Sequence, residues 1–229
     1  MVSSYENKEK FLNAIDCIIF GFDGNNLKIL LIKRDFKPEK GQWSLMGGFL
    51  RNNEIFKEAA ARVLNKLTGL QDVYLEQLYA FSKVNRDPVE RILSVAYFAL
   101  IDINTHNKKL IQKNSAKWFN IGDFPELIFD HNIMVERAIK RLRRKTSIEP
   151  IGFKLLPRKF TMLQLQNLYE AILNKKIDKR NFITKINSLN ILIKLHEKSF
   201  ESSKKGSFLY MYDKEEYEEK LSNGFTFKL

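Results

Sequence analysis

The stretch Gly47–Leu70 has the sequence GGFLRNNEIFKEAAARVLNKLTGL and decides the fold of the first part of the chain. Two glycines follow an apolar run, and we predict that they form a tight turn from a strand into a helix, because glycine tolerates the backbone angles of such turns. Apolar residues then recur at helical spacing, which indicates one packed helix face. These residues are Phe56, Ala59, Ala60, Val63 and Leu67. We expect the helix to end at Gly69.

The spacing resembles the Nudix box, in which a glycine, a glutamate, an arginine, a glutamate cluster and a second glycine stand at fixed intervals. The matching residues are Gly48, Glu54, Arg62, Leu64, Gly69 and Leu70. The three cluster glutamates, which hold divalent metal ions in that family, are replaced by Val63, Lys66 and Leu67. Mg²⁺ requires oxygen ligands, and a lysine about 4 Å from a metal ion would repel it by ~4 kcal/mol at an effective dielectric constant of about 20.

The resemblance therefore implies a Nudix scaffold without the metal site. We predict no catalytic residue, no metal and no cofactor, and we assign Gly48, Glu54, Arg62 and Gly69 a structural role. The alternative is a Nudix pyrophosphohydrolase for ADP-ribose or nucleoside diphosphate sugars, in which Glu54 and Glu58 perform acid–base chemistry. Glu58 and Arg62 stand four residues apart, however, as ion-paired residues on a helix commonly do.

The length of 229 residues fits one large domain or two modest domains, of which we expect two. The single cysteine, Cys17, excludes an intramolecular disulfide framework. The first residues, MVSSYENKEK, are polar where a signal peptide would be apolar, and no uncharged run has the length of a membrane span. We therefore expect a cytoplasmic protein without a membrane partner. The net charge of +12 favours a polyanionic partner, although charge runs are usually solvated surface.

Strand-like apolar runs surround the box. Ala14–Phe22 and Leu27–Lys33 are separated by a polar turn, as in a hairpin. A strand and turn are expected at Trp43–Phe49, and further strands at Val73–Val84, Ile92–Ile103 and Lys117–Ile121. Asn132–Lys145 is expected to form an amphipathic helix. Strands with one helix inside the sequence and one at the end suit an α+β fold. The Nudix resemblance implies an α/β/α sandwich, and we place this ligand-sensing domain at residues 1–148.

A ligand cleft is expected in this domain, because clefts with convergent polar groups are the usual ligand sites of proteins. Eight residues at predicted strand ends and turns could face it. They are Asp16, Arg34, Trp43, Arg86, Asp87, Arg91, Asp130 and His131. Carboxylates and guanidinium groups suit sugar hydroxyls, and the Trp43 ring suits the face of a sugar. Each could also be a surface charge or a core aromatic, and Asp130 with His131 could be a helix cap.

A second domain is expected at residues 149–229. Thr161 and Gln164 fit a capping box for the helix TMLQLQNLYEAILN, and Asp178 is expected to cap the helix KRNFITKINSLNILIKL. The residues that this second helix is expected to bury are Phe182, Ile186, Leu189 and Ile193. Two helices joined by a short turn favour a helix-turn-helix, and a strand at Ser207–Tyr212 favours a β-wing. A helical appendage for dimerisation is the alternative.

The order of segments is similar to that of Nudix-related bacterial transcriptional regulators. The run FTMLQLQNLYEAIL…DKRNF within Phe160–Phe182 matches their winged-helix signature, and CIIFGF, WSLMGGF, RDPVER and IFDHNIMVERA extend the match. The resemblance is closest to the arabinose-responsive branch, whereas another branch senses ADP-ribose. It implies a homodimer that binds a palindromic operator in double-stranded DNA. The effector that it implies is a pentose sugar, with L-arabinose first, or an ADP-ribose-like nucleotide.

We therefore predict a ligand-responsive repressor of sugar-utilisation genes. Basic residues and amides on the second helix of the helix-turn-helix suit phosphates and base edges, and cations at the tip of the wing suit phosphates. The residues expected to contact DNA are Lys179, Arg180, Thr184, Lys185 and Asn187 on the helix and Lys204 and Lys205 on the wing. The motif does not separate base readers from phosphate contacts.

Overall fold

The computed structural model describes residues 8–69, 71, 73–103, 116–201 and 204–228. A seven-stranded mixed sheet is the frame of the first domain. Its strands are β1 Leu12–Phe22, β2 Leu27–Lys33, β3 Trp43–Ser44, β4 Met46–Phe49, β5 Tyr74–Phe81, β6 Ile92–Asp102 and β7 Lys117–Asn120. The order is β3-β2-β1-β6-β5, with β4 also paired to β1 and β7 to β2. β1 and β6 run parallel, and the other pairs are antiparallel.

Helices cover both faces of this sheet. Helix α1, Phe56–Thr68, covers one face, and helix α2, His131–Ile148, covers the other. Because strand side chains alternate between faces, Cys17 packs in the core under α1 and Ile18 in the core under α2. β1 is therefore apolar almost throughout, and the predicted sandwich and hairpin are confirmed.

The glycine pair lies in strand β4 and not in a turn, which corrects our interpretation. β4 pairs with β1, where Gly47 is opposite Asp16. A Cβ atom on Gly47 would lie 2.6 Å from the Asp16 Oδ1 atom, and one on Gly48 would lie 2.9 Å from the Val63 Cγ2 atom. Glycine is needed here for close approach of the backbone to β1 and α1, because neither residue has a left-handed conformation.

Helix α1 ends as predicted. Gly69 has φ 72° and its N–H donates to the Asn65 carbonyl, so it is the left-handed C-cap. Ala59, Ala60 and Val63 are buried. Leu70, the last predicted box residue, and the side chain of Leu67 lie outside the part of the chain that the structure describes.

The second domain is a winged helix. A 3₁₀ helix, Pro150–Leu155, leads to strand β8, Phe160–Thr161. Helices α3, Met162–Leu173, and α4, Lys179–Ser188, form the helix-turn-helix. Strands β9, Leu192–Ser199, and β10, Ser207–Tyr212, form the wing, and α5, Lys214–Ser222, follows. The sheet order is β8-β10-β9.

Both predicted helix starts are confirmed. Thr161 and Gln164 form a reciprocal capping box, in which the Gln164 N–H donates to the Thr161 hydroxyl at 3.2 Å. The Asp178 carboxylate accepts from the Asn181 N–H at 2.8 Å. Such caps satisfy N–H groups that have no partner within the helix.

The end of the second helix was predicted wrongly. α4 ends at Ser188, and residues 192–195, which we expected to belong to it, lie in the first wing strand, Leu192–Ser199. Asn190 has φ 48°, a left-handed conformation that asparagine tolerates and that breaks the helix. Ile193 is consequently 42% exposed and not buried. The apolar residues after the break fit the spacing of a helix as well as that of a strand, so pairing with β10 decides for the strand.

The two domains share one hydrophobic core. Phe20 and Phe98 of the sheet, Leu142 of α2, and Leu168 and Tyr169 of α3 belong to the same buried cluster. The 3₁₀ helix fills the space between them. The division between residues 148 and 149 therefore stays a prediction, since the interior is continuous across it. No helix in the described ranges has both the length and the apolar composition needed to cross a bilayer.

We predict that the two domains unfold together. Leu168→Ala removes a buried side chain of α3 and should lower the free energy of unfolding by about 2–5 kcal/mol. The loss should appear in urea unfolding followed by tryptophan fluorescence, because both tryptophans, Trp43 and Trp118, lie in the first domain. Leu163→Ala, which truncates an exposed side chain of the same helix, should change it by less than about 0.5 kcal/mol. A tryptophan transition unchanged by Leu168→Ala would show that the domains unfold independently.

Candidate ligand cleft and nucleic-acid interface

A cleft of about 280 Å³ lies beside β1, β2 and β4 in the first domain. Among the predicted ligand residues, Asp16, Arg34, Arg86, Asp87 and His131 line it. Asp130 lies behind it, paired with Arg86. The topology brings these residues together from β1, the β2–β3 loop, the β5–β6 turn and the start of α2.

Arg86 is the centre of a buried charge network. Its Nε atom donates to Asp130 Oδ2 at 3.0 Å, and its Nη2 atom donates to Asp130 Oδ1 at 2.8 Å. Nη2 also lies 3.4 Å from Asp16 Oδ2, which accepts from the Ser94 hydroxyl at 2.6 Å. Burial opposes the positive charge, but the two carboxylates leave the pKa of Arg86 above its ordinary value. Arg86 is therefore fixed by protein groups.

His131 is the second buried group of the cleft floor. Its Nδ1 atom accepts from the Leu45 N–H at 3.2 Å, so in the neutral ring the proton is on Nε2, 3.6 Å from Asp16 Oδ1. Burial lowers the pKa of His131, which keeps the ring neutral. Asp130 occupies the N-cap position of α2, yet its side chain makes no capping hydrogen bond. The pair therefore ties α2 to the cleft and does not act as a side-chain cap.

Arg34 is the cleft cation with free hydrogen-bonding capacity. Its guanidinium carbon lies 3.8 Å from the centroid of the Phe36 ring and 5.4 Å from that of Phe129. Its Nε atom donates to the Phe36 carbonyl at 3.2 Å. Within the described ranges its terminal nitrogens have no hydrogen bond or ion pair. They are available to an anionic ligand.

Sequence reasoning missed an aromatic rim. Phe36, Phe49 and Phe129 all line the cleft, and Phe36 and Phe49 are about half exposed. From sequence alone, a single phenylalanine in a polar loop or after a glycine pair could be a core residue as easily as a cleft residue. The signal that could have found them is their position next to Arg34 and Gly48, which are themselves cleft residues.

Two predicted ligand residues lie elsewhere. The Trp43 ring packs edge-on against Phe119, with centroids 4.9 Å apart, and is partly buried in the core under α2. Arg91 donates from Nη1 to the carbonyls of Ser82 and Lys83 at 2.8 and 3.0 Å. Neither residue lines the cleft. Both secure strand ends, a role that position in the sequence does not distinguish from ligand contact.

The box glutamates are structural groups in this fold. Arg62 donates from Nε to Glu54 Oε2 at 2.7 Å and from Nη2 to the Phe49 carbonyl at 3.0 Å. The Arg62 hydrogen bond lowers the pKa of Glu54 to about 2. The predicted Glu58–Arg62 pair does not form, because Glu58 instead accepts from the Ile55 N–H at 3.0 Å, at the start of α1.

The residues at the metal positions of the Nudix box do not fit a metal. Val63 is buried against Gly48, and Lys66 is exposed and cationic. Neither supplies an oxygen ligand. In the part of the chain that the structure describes, no three His, Cys, Asp or Glu residues are grouped closely enough to hold a metal ion.

A basic surface marks the winged helix. Phe182 and Ile186 bury one side of α4. The predicted residues Lys179, Arg180, Thr184, Lys185 and Asn187 are all exposed on the rest of the helix. Lys204 and Lys205 are exposed at the β9–β10 turn. The structure also reveals two unpredicted wing cations, Lys194 and Lys198, whose Nζ atoms lie 4.0 and 4.9 Å from the centroid of the Phe208 ring. Lys194 was missed because we assigned it to the helix, and Lys198 because we did not predict the strand β9.

A cleft-bearing mixed-sheet sandwich packed on a basic winged helix defines a DNA-binding regulator built on a Nudix domain. The NUDIX domain model matches residues 10–140, and the model described as the NrtR DNA-binding winged helix domain matches residues 152–212. The chain belongs to the NrtR family of Nudix-domain transcriptional regulators, and the predicted fold class is confirmed.

Three relatives illustrate the relationship. The ADPR responsive transcriptional repressor NtrR of Acinetobacter baylyi is 34% identical over 175 residues, 75% of this chain and 70% of the relative. The structure of Shewanella oneidensis NrtR with a 27mer DNA has a TM-score of 0.79 and 28% identity, covering 87% of this chain and 92% of that chain. The NUDIX domain of the same protein in complex with ADP ribose has a TM-score of 0.52 and 28% identity, covering 62% and 94%.

The comparisons do not support the arabinose-responsive branch that we predicted. The relative's name and the NUDIX-domain complex refer to ADP-ribose instead. Some of the motifs behind our assignment lie on the scaffold: CIIFGF is in buried β1, and WSLMGGF covers β3 and β4. Residues of this kind identify the fold, and they carry no information about which effector is bound.

We predict that His131 makes the domain less stable in acid. Because burial lowers the pKa of the folded-state imidazole, the unfolded chain binds the proton more readily below its ordinary pKa of about 6.5. The free energy of unfolding should therefore fall as the pH drops through this value. Urea unfolding at pH 7.5 and 5.5 should show a smaller decrease for His131→Gln than for the wild type. His196→Gln, which changes an exposed histidine, should retain the wild-type decrease; equal decreases in all three proteins would contradict the assignment.

Proposed function

We propose that the protein represses transcription by binding double-stranded DNA through its winged helix, and that it releases DNA when ADP-ribose or a similar nucleotide occupies the cleft. The observation that carries the proposal is the Arg34 guanidinium, which faces the cleft beside aromatic rings with its terminal nitrogens unpaired among the described residues. The family membership and the relatives' effector support the same conclusion.

The cleft chemistry suits the parts of ADP-ribose. Arg34 can donate two hydrogen bonds to a diphosphate, since a guanidinium group is matched to phosphate oxygens. Asp87 has one oxygen engaged by the Val89 N–H at 2.9 Å, and its other oxygen can accept from a ribose hydroxyl. Phe36 and Phe49 offer exposed faces on which a planar base can stack. A free pentose brings neither an anionic group for Arg34 nor a planar base for the rings, so the nucleotide is favoured.

The same cleft is proposed to bind without hydrolysing. Cleavage of a diphosphate by a Nudix box requires carboxylates that hold metal ions. Val63 and Lys66 stand in place of two of them. Glu54 and Glu58 are engaged with Arg62 and the start of α1. The ligand would therefore stay intact, and occupancy of the cleft would follow the concentration of the free ligand.

DNA recognition is assigned to α4 and the wing. The exposed residues of α4 would enter the major groove, as in other helix-turn-helix proteins, while Lys204 and Lys205 would contact phosphates. We propose a homodimer, because two-fold symmetry matches a palindromic operator. Lys194 and Lys198 extend the cationic surface along β9.

Arg34→Ala is predicted to weaken ADP-ribose binding. The loss of charge-assisted hydrogen bonds costs about 1.5–3 kcal/mol, so Kd should rise roughly 10- to 150-fold in isothermal titration calorimetry. The matched control is Lys33→Ala, whose ammonium group lies over Trp43 outside the cleft, and it should leave Kd unchanged. Equal affinity of the wild type and Arg34→Ala would refute this site.

An assay for hydrolysis of ADP-ribose distinguishes the proposed regulator from the alternative, a Nudix pyrophosphohydrolase. Incubation of the wild type with ADP-ribose and Mg²⁺ should leave the ligand intact. Substantial turnover that disappears in Glu58→Gln would instead establish a pyrophosphohydrolase. Tight binding of L-arabinose and none of ADP-ribose would overturn the proposed effector.

Lys179 and Arg180 are predicted to contact phosphates. The logarithm of the DNA association constant falls with the logarithm of salt concentration by about 0.9 per phosphate contact. The double variant Lys179→Ala/Arg180→Ala should therefore reduce the slope by about 1.8 per protomer, measured by fluorescence anisotropy on a duplex selected with the wild type. Lys214→Ala, which removes a cation of α5 paired with Glu218, should keep the wild-type slope. An unchanged slope in the double variant would place the recognition surface elsewhere.

A further inference from the structure

Helix α2 begins at the floor of the ligand cleft. Its N-cap residue Asp130 holds the Arg86 guanidinium through two hydrogen bonds, and its first residue, His131, accepts from the Leu45 N–H. Arg86 and His131 line the cleft. The position of the first turn of α2 is thus determined by side chains that a ligand would contact or displace.

The other end of α2 contacts the winged helix. Arg143 donates from Nε to the Ile172 carbonyl, in the last turn of α3, at 2.8 Å. Leu142 and Thr146 on the same segment have no exposed surface. A Cβ atom on Gly152 of the 3₁₀ helix would meet Thr146 at 3.5 Å and Leu168 at 3.6 Å. α2, the 3₁₀ helix and α3 therefore form one packed joint.

The body of α2 can carry a displacement between these ends. The helix has 18 residues, so it is about 27 Å long. Lys145 donates to Glu76 Oε2 at 2.7 Å and Arg141 to Glu76 Oε1 at 3.2 Å, so ion pairs hold its second half to β5. Its inner face is buried and tightly packed, and packed interfaces move between discrete arrangements and do not deform continuously.

The junction has room for a second arrangement. A cavity of about 410 Å³ lies beside the joint, between α2, α3 and the β1–β2 turn, and Lys140, Arg143 and Asn174 line it. The Asn167 side chain makes a 3.3 Å hydrogen bond to the Gly24 carbonyl across the same junction. The buried Tyr169 hydroxyl has no hydrogen-bond partner among the described residues, and an unsatisfied buried polar group is unfavourable. A rearranged junction that satisfied this hydroxyl would be favoured to that extent.

We propose that α2 couples effector occupancy to DNA affinity, and that the Arg143 hydrogen bond to the Ile172 carbonyl is the joint through which it acts. The proposal rests on the proposed function of the cleft. A diphosphate beside Arg34 and Arg86 draws the Arg86 guanidinium away from Asp130, which shifts the first turn of α2. The shift reaches α3 through Arg143 and reorients α4 against DNA. The ligand drives this change only by binding the two arrangements with different affinities.

Arg143 is a positioning residue, and its test is the coupling between the two ligands. DNA Kd is measured by fluorescence anisotropy with and without saturating ADP-ribose, and the ratio is the coupling factor, typically about 5- to 150-fold in allosteric proteins. Arg143→Met, which keeps the length of the side chain and removes the donor, should reduce this factor at least about fivefold. ADP-ribose affinity of the free protein and DNA affinity without ligand should each stay within about twofold of wild type. Arg143→Gln, whose amide nitrogen follows Cδ as the arginine Nε does and can still donate to the Ile172 carbonyl, should keep most of the coupling.

Arg144→Met is the matched control, because Arg144 is the next residue of α2 and is exposed; it should keep the wild-type coupling factor. Coupling in Arg143→Met equal to wild type would overturn the relay and leave the proposed function standing. A wild type that binds DNA but does not respond to ADP-ribose would overturn both. Loss of coupling in Arg143→Met and not in Arg144→Met, with both affinities intact, supports the relay.

Hydrogen exchange on the wild type tests the relay without any substitution. ADP-ribose should change amide exchange in the first turn of α2 and also in residues 142–148 and the last turn of α3. A change confined to the cleft, with none in these two segments, would overturn the proposal. This outcome does not depend on the folding of a variant.

Discussion

The buried Arg86 guanidinium is the group on which the arrangement of the cleft depends. It joins Asp16 of β1 to Asp130 at the start of α2 from the turn between β5 and β6. A buried ion pair contributes little net stability, because the loss of hydration offsets its attraction, whereas removal of one partner costs about 3–5 kcal/mol. Its effect is therefore geometric. Three segments that are distant in sequence can occupy only the positions that keep both carboxylates within reach of one cation.

The same constraint places the cleft at the end of the helix that contacts the winged helix. α2 is buried along one side by the sheet and by the 3₁₀ helix, and the same buried cluster includes residues of α3. A shared core of this kind makes the relative position of the two domains a property of side-chain packing. The relay that we propose through α2 depends on this shared core, which two domains joined by an exposed linker would not have.

The scaffold could be predicted from sequence because its signals are local. Thr161 with Gln164, Asp178 and Gly69 are caps whose partners lie within four residues, and the structure has each of them. The run after Ser188 could not be resolved in this way, since its apolar residues fit a helix as well as a strand. Pairing with β10, a contact outside the local sequence, decides for the strand. The prediction of a turn at the glycine pair was wrong for a similar reason. The residue that leaves no room for a side chain at position 47 is Asp16, which lies on another strand.

The cleft was predictable by residue type and not by contact. Asp16, Arg34 and Arg86 carry the chemistry that a polar ligand needs. Only the fold shows that Arg86 is already satisfied, whereas the terminal nitrogens of Arg34 have no partner in the part of the chain that the structure describes. That difference bears on the role of the box. Burial of Val63 against Gly48 and the engagement of Glu54 with Arg62 keep β4 and α1 in place without any carboxylate aimed at a metal. A sensor has to bind its effector reversibly and leave it unchanged. The box has lost the metal ligands and kept the contacts that hold β4 against α1, which satisfies both requirements. The altered box is therefore consistent with the function that we propose for the cleft.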